Sequence, residues 1–134
     1  MKKKGSRVER ELVELFWSNG FAALRTPGSG VSTYPCPDVI ASNGKKTLAL
    51  EVKYKANLPI YIQTQRINDL LTFSKIFGAT PLIAVKLPRK DWKFIKIDDL
   101  KRTKNGYKVD SDVLNTSADF DEIVGKSIQK RLNV

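Results

Sequence analysis

Asp38, Glu51 and Lys53 are the residues of this chain whose types and spacing can do chemistry together. Asp38 opens the apolar run Val39-Ile40-Ala41, and Glu51 stands between Leu50 and Val52, with Lys53 two places on. Asn43-Gly44 between the two runs is a hairpin signal, so the carboxylates are expected on adjoining strands that bring them together. Two carboxylates so placed repel one another and are stabilised by a cation, and an oxygen site suits Mg, or Mn in its place. A lysine one side-chain register beyond the second carboxylate can hold or polarise an attacking water and offset charge as pentavalent phosphorus forms. Metal and lysine would then serve one reaction, hydrolysis of a phosphodiester. The competing reading is an ordinary charged sheet face closed by a hairpin salt bridge. In a strongly basic chain, burying a carboxylate pair without a cation is costly, which favours the chemical reading.

Composition narrows what else the chain can be. Its 134 residues fit one domain, 1–134, and a hydrophobic fraction of 41% supports a folded core. There is no histidine, and Cys36 is the single cysteine, so a Cys/His zinc site, an intrachain disulfide and a histidine general base are all excluded. The formal charge is +10, and residues 1–97 hold 17 basic against 7 acidic side chains while residues 98–134 hold 7 of each. That concentration of positive charge suits a polyanion, nucleic acid first. A merely basic surface, an anionic membrane or an acidic protein partner are the alternatives. No run approaches 18 apolar residues and the opening MKKKGSRVERE lacks the apolar segment of a signal peptide, so a soluble, cytoplasmic, DNA-associated protein is expected.

The elements that must position the three residues can be read from periodicity. Residues 5–19 read as a helix with Val8, Leu12, Leu15 and Phe16 on one stripe, Val13 widening it, and Glu9 beside it near the helix start. Glu9 can swing over the sheet end to complete or orient a metal shell, or can simply stabilise the helix dipole. FAALR at 21–25 reads as a strand, and 26–37 as a flexible Gly, Pro and Ser loop. Strands at 38–41 and 47–53 follow, the second with Ala49, Glu51 and Lys53 on one face and Leu48, Leu50 and Val52 on the other; one face is expected to be core. A helix at 63–77, strands at 81–87 and 91–97, a turn or hairpin in RTKNGYKVD, and a last helix from about 120 to 132 with Phe120, Ile123, Val124, Ile128 and Leu132 on its apolar face complete the pass. The order predicts an α/β fold: a central mixed β-sheet flanked by helices. The basic cluster at about 1–5, with Lys3 and Lys4 and then Arg7, reads as an arm that adds salt-dependent DNA affinity or as a solubilising terminus. TPGSGVS offers amides and hydroxyls for a DNA backbone and is not a nucleotide phosphate loop, since no Gly-Lys-Ser/Thr follows. Leu70, Phe73, Ile76 and Phe77 make the second helix apolar over more than one stripe, a surplus that a symmetric helix-to-helix contact would use.

The wider pattern resembles a known family. Pro37-Asp38 followed by Glu51-Val52-Lys53 is similar to the signature of the PD-(D/E)xK nuclease superfamily. Together with GSRVERELVELFWSNGFAALRTPGSG, PDVIA, LEVK, LLTFSKIFG, PLIAVK and WKFI, it resembles the archaeal Holliday junction resolvases of the Hjc type over roughly residues 4–97, and more weakly to the end. The resemblance implies a restriction-endonuclease-like nuclease fold and a homodimer that cuts four-way DNA junctions by paired, Mg-dependent nicks. It implies metal-associated roles for Glu9, Asp38 and Glu51, a catalytic role for Lys53 and for the loop serine at Ser29, and phosphate or DNA contacts from Arg10 and Arg25. The longer loop through Val31 to Cys36 leaves Ser32 as a rival to Ser29, and Lys55 and Gln65 join the DNA set. The helix carrying Leu70, Phe73 and Phe77 matches the family's dimer surface. The alternatives are another DNA repair or restriction-like endonuclease of the superfamily and a non-catalytic module that binds branched DNA. Other recombination or replication proteins stand as recruiting partners.

Overall fold

A computed structural model describes residues 2–27 and 34–125 of the chain, with side chains from residue 6 onward. Helix α1 (Lys2–Trp17) forms where Val8, Leu12 and Phe16 recur at helical spacing, and all three side chains are buried. It starts three residues earlier than expected, so the lysines assigned to a basic arm stand in its first turn. Strands β1 (Ala22–Arg25), β2 (Val39–Ser42) and β3 (Thr47–Tyr54) form an antiparallel meander. Gly44 at φ +90° makes the β2–β3 turn, where the Asn43 carboxamide oxygen accepts from the amides of Lys45 and Lys46.

Strand β4 (Ile60–Gln63) runs directly into helix α2 (Thr64–Phe77), which Gly78 ends in the left-handed conformation. Strands β5 (Thr80–Lys86) and β6 (Lys93–Lys96) follow, and a 3-10 turn at Ile97–Asp99 leads to the hairpin β7 (Lys101–Thr103) and β8 (Gly106–Val109). Two short helices, α3 (Ser111–Asn115) and α4 (Phe120–Val124), close the described chain. The main sheet has the order β1-β2-β3-β5-β6, mixed because β3 and β5 are parallel while the other pairs are antiparallel. A smaller sheet has the order β4-β8-β7.

The main sheet is sandwiched, and this changes the reading of β3. Leu48 and Leu50 pack with Val8, Leu12, Phe16 and Phe94 under α1, while Ala49 packs with Ile60, Ile62, Ile67 and Leu70 under α2 and the smaller sheet. Both faces are therefore core at the start of β3, and the expectation of one core face and one chemical face is corrected: chemistry begins only at Glu51, which is still buried but is covered by the charged side chain of Arg66 from α2. Strand β4 was not anticipated because its four residues pass into α2 without a turn residue; its signal was the inward alternation of Ile60 and Ile62. Helix α3 was likewise not anticipated. The last helix is shorter than expected. A capping box of Asp119 and Glu122 starts α4 and Gly125 at φ +86° ends it, so Phe120, Ile123 and Val124 pack into the core while Ile128 and Leu132 lie outside the described residues.

Candidate active site

Register brings the two carboxylates together. Val39 lies opposite Leu50 in the β2–β3 ladder, which puts Asp38, one residue before β2, opposite Glu51. The ladder extends through Asp38, whose amide donates to the Leu50 carbonyl at 2.9 Å and whose Oδ2 accepts from the Val52 amide at 2.9 Å. Asp38 is thus tied to the backbone on either side of Glu51, by its amide to Leu50 and by its side chain to Val52. Asp38 is also tied to β1, since the Thr26 amide donates to its carbonyl at 3.1 Å and the Thr26 hydroxyl donates to the Pro37 carbonyl.

Glu51 is 3% exposed. Burial, and then the charge of Asp38, push its carboxyl above the usual glutamate value, against the opposing pull of Arg66 and Lys53. Arg66, in the first turn of α2, holds the pair: its Nη2 lies 2.6 Å from Glu51 Oε1 and 3.2 Å from Asp38 Oδ1, and its Nε lies 3.1 Å from Glu51 Oε2. Lys53 Nζ stands 4.0 Å from Glu51 Oε2, one side-chain register along the same strand. Helix α1 brings Glu9 over this end of the sheet, where its Oε1 accepts from Arg25 Nε at 3.1 Å and Arg25 Nη2 donates to Ser6 Oγ at 3.0 Å. Burial raises the Glu9 carboxyl, the Arg25 hydrogen bond lowers it, and the charge of Asp38 raises it again, so Glu9 belongs to the same electrostatic cluster.

Of the residues picked out from sequence, Asp38, Glu51, Lys53, Glu9 and Arg25 converge here. Arg10 is exposed on α1, and Arg7, also exposed, pairs with Glu11 at 3.4 Å. Lys55 is exposed just beyond the end of β3. Gln65 is exposed and donates to Asp69 Oδ1 at 2.7 Å, while the helical turn aims its neighbour Arg66 at the carboxylates. Arg66 is the residue sequence reasoning missed; its signal was its place one turn into the helix that had to cover the Glu51 face. Leu70 is corrected. At 1% exposed it faces the sheet with Ile67 and Ser74, so it is core and has no surface to offer a partner. Phe73 and Phe77 stack at 4.9 Å between centroids, and with Ile76 they form the adjoining outward face, where Ile76 is 83% and Phe77 54% exposed. Ser29 and Ser32 lie outside the described residues, as do the side chains of Lys3 and Lys4.

The cluster is all-oxygen on its acceptor side, which suits Mg, and the guanidinium lodged between Asp38 and Glu51 shows that a cation fits between them. Among the described residues no three acidic or cysteine side chains form a ready metal cage, and Glu9 accepts from Arg25. A carboxylate pair and a lysine on the central strands of a mixed sheet flanked by helices define a class, the nucleases of restriction-endonuclease-like architecture. The chain belongs, within it, to the archaeal Holliday junction resolvases of the Hjc family, whose family model matches residues 1–132. The crossover junction endodeoxyribonuclease Hjc of Archaeoglobus fulgidus is 45% identical over 131 residues, covering 98% of this chain and 96% of its own length. The Hjc of Sulfolobus acidocaldarius is 37% identical over 126 residues, covering 92% and 87%. The solved structure of Archaeoglobus fulgidus Hjc, described as a Holliday junction resolvase from an archaeal hyperthermophile, superposes with a TM-score of 0.88 at 42% identity, covering 90% of this chain and all of that one. Among the described residues no helix is long and apolar enough to cross a membrane.

Proposed function

We propose that this protein is a structure-selective endodeoxyribonuclease that resolves four-way DNA junctions, acting as a homodimer that makes paired, Mg-dependent cuts. The observation that carries the reading is the convergence of Asp38, Glu51 and Lys53 at one end of β3, within a chain of the Hjc family. Asp38 and Glu51 would hold the divalent ion. When bound, such an ion polarises the phosphoester and lowers the pKa of water. Asp38 contributes a carboxylate whose direction is set by the Val52 amide.

The Lys53 ammonium orients the attacking water by hydrogen bonding and offsets negative charge as a P–O bond to the water oxygen forms and the P–O ester bond to the leaving strand breaks. Arg25, on β1 beside β2, and the exposed Arg10 supply positive charge to flanking phosphates. Glu9, whose Oε1 accepts from Arg25, would accept a proton or orient a water beside the pair. Ser29 or Ser32 would contact the DNA backbone, and Lys3, Lys4, Arg7 and Lys55 would add salt-dependent affinity. Substrate choice follows from arm geometry and backbone phosphates rather than base edges. The outward face of Phe73, Ile76 and Phe77 is the surface through which two copies would pair, setting two sites to meet two strands in one encounter.

The test is strand cleavage of a synthetic four-way junction beside a linear duplex of matched sequence, with and without Mg, using the parent protein and Glu51→Gln. Paired nicks in the junction alone, dependent on Mg and lost in Glu51→Gln while junction binding persists, are expected. Equal cutting of the linear duplex would replace the reading with a less selective nuclease. Junction binding without cuts in any divalent metal would leave a branched-DNA-binding module.

A further inference from the structure

Resting on the reading of Asp38 and Glu51 as the metal-holding pair, we infer that Arg66 is a built-in competitor for the metal position. Its guanidinium occupies the pair in the metal-free protein, and a divalent ion must displace it to bind. The oxygen count makes the case. Both Glu51 oxygens accept from Arg66, at 2.6 and 3.1 Å, and Asp38 Oδ1 accepts from it at 3.2 Å. The remaining oxygen, Asp38 Oδ2, is taken by the Val52 amide. Every oxygen of the pair already accepts a hydrogen bond, and the guanidinium fills the space between the two carboxylates that an ion bridging them would take.

Charge leads to the same conclusion. Two carboxylates are balanced by Arg66 and by Lys53 at 4.0 Å, so the closed cluster is formally neutral and attracts no further cation. With Arg66 withdrawn, the same carboxylates and Lys53 carry a net negative charge. Glu51 is buried against a second carboxylate, and a buried, unneutralised pair is costly, so the fold supplies its own counterion when metal is lacking. Withdrawal is sterically open, because Arg66 sits in the first turn of α2 with 34% of its side chain in water, and side-chain rotation moves the head to solvent without moving the helix. The planar fork matters: one guanidinium bridges both carboxylates, which a lysine ammonium does not reproduce.

Competition of this kind lowers apparent affinity by the fraction of molecules in which Arg66 has left. A minor open state of about 10% or less places the effect at about tenfold or more. The experiment is calorimetric titration of Mg alone, without DNA, into the full chain as parent, Arg66→Gln, Arg66→Lys and Glu51→Gln, with thermal melts of each in the presence and absence of Mg. Arg66→Gln should bind Mg about tenfold or more tightly than the parent, melt lower without metal, and gain more than the parent when Mg is added. Arg66→Lys should also bind more tightly than the parent, though less so than Arg66→Gln, because it keeps the charge and loses the bridge.

Equal Mg affinity in the parent and Arg66→Gln, with binding lost in Glu51→Gln, would overturn the competition and leave the metal pair standing. Arg66→Lys matching the parent while Arg66→Gln binds more tightly would also overturn it, by tracing the effect to net charge alone. Mg binding that survives Glu51→Gln, or is absent from parent and Arg66→Gln alike, would remove the metal pair and the competition together.

Discussion

Replacing Arg25 by methionine, alone and with Glu9→Gln, measures how firmly the Glu9 carboxylate is held on β1. Methionine keeps most of the apolar stem and removes the hydrogen bonds to Glu9 at 3.1 Å and Ser6 at 3.0 Å. The pair is neither fully exposed nor fully buried, with side chains 35% and 23% exposed. Exposed ion pairs are worth about 0.2–1 kcal/mol, and breaking a fully buried one costs about 3–5 kcal/mol. With about a third of Arg25 in water, solvent screening puts the coupling near the lower end, at about 1 kcal/mol. Arg25→Met should therefore destabilise the metal-free protein by about 1.5 kcal/mol, the excess over the coupling coming from a half-buried carboxylate left facing Asp38. Glu9→Gln on that background should recover much of the loss. The assay is urea unfolding of parent, both single variants and the double variant, at neutral pH, without metal and at one protein concentration. Losses that add to within about 0.3–0.5 kcal/mol would refute the reasoning, because independent sites add to that margin and an ion pair does not.

Two further outcomes are expected. Glu9 and Glu51 titrate above the usual glutamate value of 4.5 in the metal-free fold, so the folded chain binds these protons more tightly than the unfolded chain. Their stabilising contribution is complete below 4.5 and is lost as pH rises through the raised values; calorimetric melting of the metal-free protein should show this decline, and Glu51→Gln should flatten it. On α2, Phe77→Ser should weaken the proposed homodimer about a hundredfold by sedimentation, since each of two symmetric copies loses about 1.5 kcal/mol of apolar burial, whereas Leu70→Ala should cost about 2–5 kcal/mol of folding stability and leave the dimer constant unchanged.

What the sequence determined by itself was whatever is written in local pattern. The hairpin signal at Asn43-Gly44 and the alternation along Leu48–Lys53 were enough to pair Asp38 with Glu51 and to put Lys53 one register beyond, because antiparallel register follows from turn and pleat. The helical stripe of Val8, Leu12 and Phe16 likewise placed Glu9 at the edge of a buried face. Three things were decided only by tertiary structure. The fold of β4 and the β7–β8 hairpin over the Ala49 face made β3 buried on both sides, which no period-two pattern distinguishes from a one-sided strand. The docking angle of α2 chose Leu70 for the core and left Ile76 and Phe77 outside, although all three are apolar on the same helix. The same angle turned Arg66 rather than Gln65 onto the carboxylates, 15 residues along the chain from Glu51 and 28 from Asp38. A basic residue in a basic chain carries no mark of its partner, and only the packing of α2 against β3 supplies one.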